Sequence, residues 1–162
     1  MSVMSRLLLS RALRAACAAV LLGAGPAAAD ACAAGAAGAD LAVFAADPAP
    51  VHDGGSTLLH PVVTNTGGTA TAVPFTLYVH LPPGVAGTGK SPGATCTTLP
   101  HGHTVACTVP AGLAPGAPVT AEVRISVASG MDPEVLDGNV EAELADDPTP
   151  ENNSSTFRIT VI

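Results

Sequence analysis

Two cysteines, Cys96 and Cys107, flank a Pro-His-Gly-His turn, and this restricts the chain more than any other feature. The stretch Cys96–Gly116 reads CTTLPHGHTVACTVPAGLAPG. Folding it back at Pro100-His101-Gly102-His103 sets Leu99 opposite Thr104, Thr98 opposite Val105, Thr97 opposite Ala106 and Cys96 opposite Cys107. A directly opposed pair in a narrow antiparallel hairpin brings two Cα atoms within reach of a disulfide. The spacing therefore predicts a short hairpin closed by a Cys96–Cys107 bond. A turn at Leu113-Ala114-Pro115-Gly116 and a further strand follow it.

A disulfide belongs to an oxidising compartment, and the N-terminus agrees. Arg6, Arg11 and Arg14 precede an apolar run from Ala15 to Leu22. Pro26 breaks that run, and Ala27-Ala28-Ala29 and Ala29-Asp30-Ala31 each fit a small-residue cleavage site. Residues 1–29 are therefore read as a secretory signal peptide, the run being well short of the roughly 20 residues a membrane span needs. Residues 30–38 form an Ala/Gly linker, and 39–162 the domain. The closing Phe157-Arg158-Ile159-Thr160-Val161-Ile162 carries neither a hydrophobic tail nor an LPxTG-type sortase signal. The expected location is extracellular or envelope-associated, with the protein soluble or held only at its N-terminus.

Cleavage after Ala29 removes three arginines and Cys17. Lys90, Arg124 and Arg158 then face thirteen carboxylates, a net charge of −10. Such a balance argues against nucleic acid and anionic membranes, whose phosphates require a basic footprint. Tryptophan is absent, and Tyr78, Phe44, Phe75 and Phe157 are the only aromatics, too few for base- or sugar-stacking platforms. Cys32 is left without a partner. It is either a lipid attachment site or a free thiol on a tail. Bacterial lipoprotein signals resemble Leu-x-Gly/Ala-Cys; Ala31 fits that pattern, but Ala29 and Asp30 do not, which favours the free thiol.

The rest of the chain reads as strands and turns. Asp40–Phe44 is a short strand, stopped by Asp47-Pro48-Ala49-Pro50. Asp53-Gly54-Gly55 turns into a second strand over Ser56–Thr64, with His60 and Pro61 in its middle. Proline donates nothing to a ladder, so an edge position or a bulge is implied there. Asn65-Thr66-Gly67-Gly68 is a turn. Phe75, Leu77, Val79 and Leu81 alternate with Thr76, Tyr78 and His80, which puts one set in a core and the other toward solvent. The segment 85–94, with three glycines and a proline, is read as a loop. Val119, Ala121, Val123, Ile125 and Val127 form the cleanest alternation. A loop over 130–138 precedes a strand carrying Val140, Ala142 and Leu144, then an acidic turn over 146–153, then a last strand with Phe157, Ile159 and Val161 inward. No segment of the domain has a helical period. The pattern is all-β, an immunoglobulin-like β-sandwich of seven or eight strands.

Chemistry-bearing residues are sparse. His101 and His103 flank a glycine near the cysteine pair, but a disulfide removes the thiolates a metal site would need. His52, His60 and His80 are scattered. Asp146, Asp147, Glu151, Asn152 and Asn153 offer the hard oxygens calcium prefers, without EF-hand spacing, and a solvated acidic turn accounts for them. Asn152 and Asn153 each begin an N-x-S acceptor pattern, read as turn chemistry. There is no Gly-x-Ser-x-Gly elbow and no carboxylate pair in an evident cleft. No catalytic residue, cofactor or metal ligand is therefore assigned.

Seven short motifs occur in order: Ala39-Asp40-Leu41, Asp53-Gly54-Gly55, Thr64-Asn65-Thr66-Gly67, Leu81-Pro82-x-Gly84-Val85, the cysteine pair, Leu113-Ala114-Pro115-Gly116 and Pro150-Glu151-Asn152-Asn153. The set resembles the DUF11 repeat domain of bacterial surface proteins over residues 39–162. Its first half is also similar to CARDB, the cell-adhesion-related domain of bacteria. Both resemblances imply an immunoglobulin-like fold in a secreted or wall-associated spacer or adhesion module. Pro61 departs from the family, which has a strand-core aliphatic there, and only one copy is present. The expectation is a non-catalytic module that binds, adheres or spaces at the bacterial envelope, with a protein or cell-wall component as partner. The alternative is a small extracellular enzyme or enzyme inhibitor acting through the segments 85–94 and 130–138, since loops carry function on such scaffolds.

Overall fold

Alternation with a period of two builds this molecule. The structure is a computed structural model that describes residues 38–162. Residues 1–37, and with them the stretch read as a signal peptide and its cleavage sites, Cys17, Cys32 and most of the stretch read as a linker, lie outside the described residues. Eleven strand segments follow in order: β1 Leu41–Phe44, β2 Ser56–Leu59, β3 Val62–Asn65, β4 Phe75–His80, β5 Val85–Lys90, β6 Thr95–Thr98, β7 Thr104–Val109, β8 Pro118–Thr120, β9 Glu122–Val127, β10 Val135–Glu143 and β11 Ser154–Thr160. A short 3-10 helix over Pro150–Asn152 precedes the last.

One sheet has the order β11-β10-β4-β7-β6. Two further ladders, β1-β3-β8 and β2-β9-β5, are halves of a second sheet. The pairs Leu59↔Val123 and Val62↔Thr120 belong to one unbroken antiparallel register, which puts Pro61 opposite Ala121. Ala121 N donates to Pro61 O at 3.1 Å, and no return bond forms because proline has no N–H. Of the edge position or bulge expected, the bulge is absent: the strand continues in register, only the ladder is interrupted, and β2 stands at the edge of its own ladder. Pro61 is buried between Leu59 and Val63, so the inward alternation also continues through it.

With these interruptions joined, β1, β2/β3, β8/β9 and β5 face β11, β10 and β4, the A-B-E-D against G-F-C arrangement of an immunoglobulin sandwich. Eleven segments thus reduce to nine strands, because the β6–β7 hairpin extends the G-F-C sheet beyond the expected seven or eight. Alternate residues of both sheets fill the core. Leu77, Val79, Val105, Val123, Ile125, Val140, Phe157 and Ile159 are all at most 1% exposed.

Two segments read as loops are strands. β5 occupies the first part of 85–94, and β10 starts at Val135, inside 130–138. Glycine misled in both cases. Gly87 and Gly89 point inward from β5; a Cβ there would sit 2.6 Å from Leu81 Cδ1 and 2.5 Å from Val105 Cγ1, respectively. Gly138 lies opposite Phe157 in the β10–β11 register, and its missing side chain makes room for the Phe157 ring. Glycine inside a strand marks a close approach as readily as a turn.

The hairpin register is the one expected: Thr98↔Val105, Thr97↔Ala106 and Cys96↔Cys107. Cys96 and Cys107 are disulfide-bonded, with Cα atoms 4.0 Å apart. Closing so short a loop stabilises by about 3 kcal/mol in the chain-entropy account. Cys96→Ala is therefore expected to lower the melting temperature by about 10 °C. A melting curve unmoved by dithiothreitol would show the bond to be irrelevant.

Both seams of the sandwich are closed. At one, Thr98 Oγ1 donates to Gly87 O at 3.0 Å, Gly87 N to Gly102 O at 2.9 Å, and the His103 ring bonds Val85 O through Nδ1 at 2.7 Å. At the other, residues 45–51 run beside β11. Val51 N donates to Thr160 O at 3.0 Å and Ile162 N to Val51 O at 2.9 Å, a parallel bridge. Asp47 takes the Arg158 backbone N–H at 2.7 Å and its guanidinium at 3.2 Å. A side chain on the edge N–H leaves no template there for a foreign strand.

Candidate binding surfaces

Gly38–Asp40 lies at the end of the sandwich where β3 finishes, and Ile162 at the opposite end beside Val51. The first end is organised by one side chain. Asn65 is 0% exposed. Its Oδ1 accepts from Asp40 N at 3.2 Å and Gly67 N at 3.0 Å. Its Nδ2 donates to Thr69 O and Leu113 O, both at 2.8 Å. Thr71 Oγ1 completes the clasp by accepting from Gly112 N and Leu113 N at 3.0 Å each. Three of the sequence motifs, at residues 39–41, 64–67 and 113–116, are thus parts of one polar knot. Their role here is architectural.

The histidine and acidic motifs do not assemble chemistry. His101 is exposed in the hairpin turn with φ of 76°, while His103 is engaged at the seam. Asp147 ties its loop to β1, its carboxylate accepting from Leu41 N and Thr149 N, both at 2.9 Å. Asp146 and Glu151 are exposed. Among the described residues no three His, Cys, Asp or Glu side chains form a metal-holding group. Asn153 is 6% exposed, which removes it as a glycan acceptor in the folded protein. The two ion pairs among the described residues, Lys90–Glu122 at 3.0 Å and Arg158–Asp47 at 3.2 Å, are open to solvent and add little stability.

One concavity was not anticipated from the sequence. It is an open cleft of about 500 Å³ over the interrupted ladder, lined by His60, Lys90, Ser91, Pro92, Thr120, Ala121 and Glu122. Lys90 pairs with Glu122 there, and Ser91 Oγ donates to Thr120 O at 3.1 Å. The serine is thus hydrogen-bonded to main chain, not to a base, so the cleft has the makings of a binding groove and lacks an activated nucleophile. Only Pro61, which interrupts the ladder beneath, hinted at it.

No protein-family model matches the chain, and no curated protein matches it in sequence. Solved structures with a similar course do exist. The CARDB domain of the PF1109 protein from Pyrococcus furiosus, determined in complex with di-metal ions, has TM-score 0.48 at 14% identity, over 79% of this chain and 92% of that one. A collagen-binding domain from a Staphylococcus aureus adhesin has TM-score 0.47 at 12% identity, over 75% and 95%. AvmM, which catalyses macrocyclization in alchivemycin A biosynthesis, has TM-score 0.46 at 16% identity, over 74% and 88%. Adhesins and an enzyme thus stand side by side, and at these scores the likenesses carry no argument about activity or partner. The chain is an immunoglobulin-like β-sandwich on its own topology. Among the described residues no helix is long and apolar enough to cross a membrane.

Proposed function

We propose that the chain is an exported, non-catalytic, DUF11-type module that binds or spaces at the bacterial envelope. The observation that carries this reading is the position of the two ends. Gly38 enters beside the Asn65 clasp, where its carbonyl accepts from Gly68 N at 2.8 Å. Ile162 leaves at the far end, beside Val51. A domain whose Gly38 and Ile162 lie at opposite ends would hold anything attached at those ends a full sandwich length apart. The absence of an assembled acid, base and nucleophile among the described residues supports the same reading. Its location rests on the signal-like N-terminus, and its partner is a protein or a wall polymer.

The test is retention of the purified domain on cell-wall material, run beside capture from the secreted proteome. Retention on the wall, with no turnover of ester, peptide or glycoside substrates, is expected. Capture of one soluble hydrolase, or measurable turnover, would overturn it. Intact-mass spectrometry of the non-reduced exported protein adds the processing state. Cleavage after Ala29 or Ala31 with an unmodified Cys32 is expected, and a diacylglyceryl mass on Cys32 would replace that with a lipid anchor.

A further inference from the structure

One side of the β2 main chain is unpaired. Val127 N donates to Gly55 O at 3.0 Å and Ala121 N to Pro61 O at 3.1 Å, so Gly55, Thr57, Leu59 and Pro61 turn their main-chain groups toward β9. Antiparallel bonding alternates between the two sides of a strand. The N–H and C=O of Ser56, Leu58 and His60 therefore point the other way, along the line of β1. That line ends at Phe44, opposite Val62. Ala45 N then turns to Ser155 Oγ at 3.2 Å, and the chain continues beside β11. It stays tied to β2 by a side chain, Thr57 Oγ1 donating to Ala49 O at 3.0 Å. Among the described residues no hydrogen bond reaches the outward N–H and C=O of Ser56, Leu58 and His60.

Other edges are guarded. Asp147 takes Leu41 N on β1, Asp47 takes Arg158 N on β11, and Gly102 O takes Gly87 N on β5. The β2 edge has no such cap. It also lacks a charged residue between Ser56 and His60 and keeps an unbulged register, so none of the devices that stop an edge strand from pairing is present.

We propose that β2 pairs edge to edge with β2 of a second copy, antiparallel about a two-fold axis through Leu58. In that register Leu58 faces Leu58 and Ser56 faces His60, so each free N–H meets a free C=O. The two half-buried leucines cover one another on the outer face. A second copy suits this edge because no like charges meet. Arg124, opposite Leu58 on β9, stays three strand spacings from its counterpart, about 14 Å, beyond the screening length of physiological salt. Gly54 and Gly55 lead into β2, so the incoming strand brings no side chain against the end of β1, where Phe44 is 65% exposed. The proposal goes beyond the envelope reading and does not depend on it. So short an edge buries less than the roughly 1,200 Å² of a standard interface, and the dimer belongs at a dissociation constant of about 0.1–1 mM.

The test uses the chain from Asp30 onward with Cys32→Ser, which removes any dimer made through that thiol. Sedimentation is expected to show the weight-average mass rising about 1.5-fold between about 10 µM and 1 mM. Exchange of the Leu58 and His60 amide hydrogens should slow over the same range. Leu58→Lys and Leu58→Glu each set like charges against one another across the axis and should stay monomeric. Mixed in equal amounts they set opposite charges together and should restore the dimer, which a merely misfolded variant would not do. The exchange measurement carries the test if either variant fails to fold. A chain that is monomeric at about 1 mM with unchanged exchange would overturn the proposal and leave the edge to an extended peptide of another protein. So would a dimer that persists in either single variant, or a mixture of the two folded variants that stays monomeric.

Discussion

Asn65→Ala is expected to lower the stability of the domain by about 3–5 kcal/mol, seen as a shifted urea midpoint at unchanged slope. The side chain it removes is small, so lost packing contributes little. What dominates is four main-chain groups, on Asp40, Gly67, Thr69 and Leu113, left without their partner at once. An unsatisfied buried group costs about 1–3 kcal/mol, and those nearest solvent recover part of that from water. Asn65→Asp separates the two halves of the amide. It retains an acceptor for Asp40 N and Gly67 N but buries a charge and turns its second oxygen onto the Thr69 and Leu113 carbonyls, so it should destabilise at least as much as Asn65→Ala. An Asn65→Ala midpoint within error of the native one would show that the clasp contributes nothing.

The second large effect is expected at Gly138. Gly138→Val places a branched side chain where the Phe157 ring lies, and the ring has no other space in a core this closely packed. Expelling it should cost about as much as Phe157→Ala itself, about 3–5 kcal/mol. The two changes compete for one volume, so they should not add. The double variant should be clearly more stable than the sum of the single effects implies. Strict additivity, measured by chemical denaturation of all four proteins, would mean that the ring and the glycine are not coupled.

Alternation made most of this fold legible in advance. Where β-branched and aromatic residues recur at every second position, as in 75–81 and 119–127, one face is buried along its whole length. The hairpin register was equally legible, because a short loop leaves Cys96 little to meet but Cys107. Glycine was not. In Gly87, Gly89 and Gly138 the same lack of a side chain that suits a turn serves instead to admit Val105, Leu81 or a phenyl ring, and composition alone does not separate the two uses. Asn65 was legible as a turn residue, but its partnership with Leu113 spans 48 residues and leaves no local trace. The same holds for Asp40 and Asn152, 112 residues apart. The cleft over Pro61 depends on Ser91 and Thr120 coming together across two strands, which no periodicity records.

The parallel bridge between residues 45–51 and β11 sets how the domain responds to tension. The first of these segments is reached from the end where Gly38 enters, and the second leads out at the end that holds Ile162. Pulling those ends apart draws the two parallel segments in opposite directions along their own length. The bonds at Val51, the Asp47 grip on Arg158 and the Ala45–Ser155 contact at 3.2 Å then lie across the direction of pull and share the load. They must fail together in shear instead of opening one after another like a zip. The disulfide hairpin, on the other seam, lies away from this line of force. The mechanical clamp is thus the patch that joins residues 45–51 to the last strand, and resistance to stretching is set by a handful of hydrogen bonds.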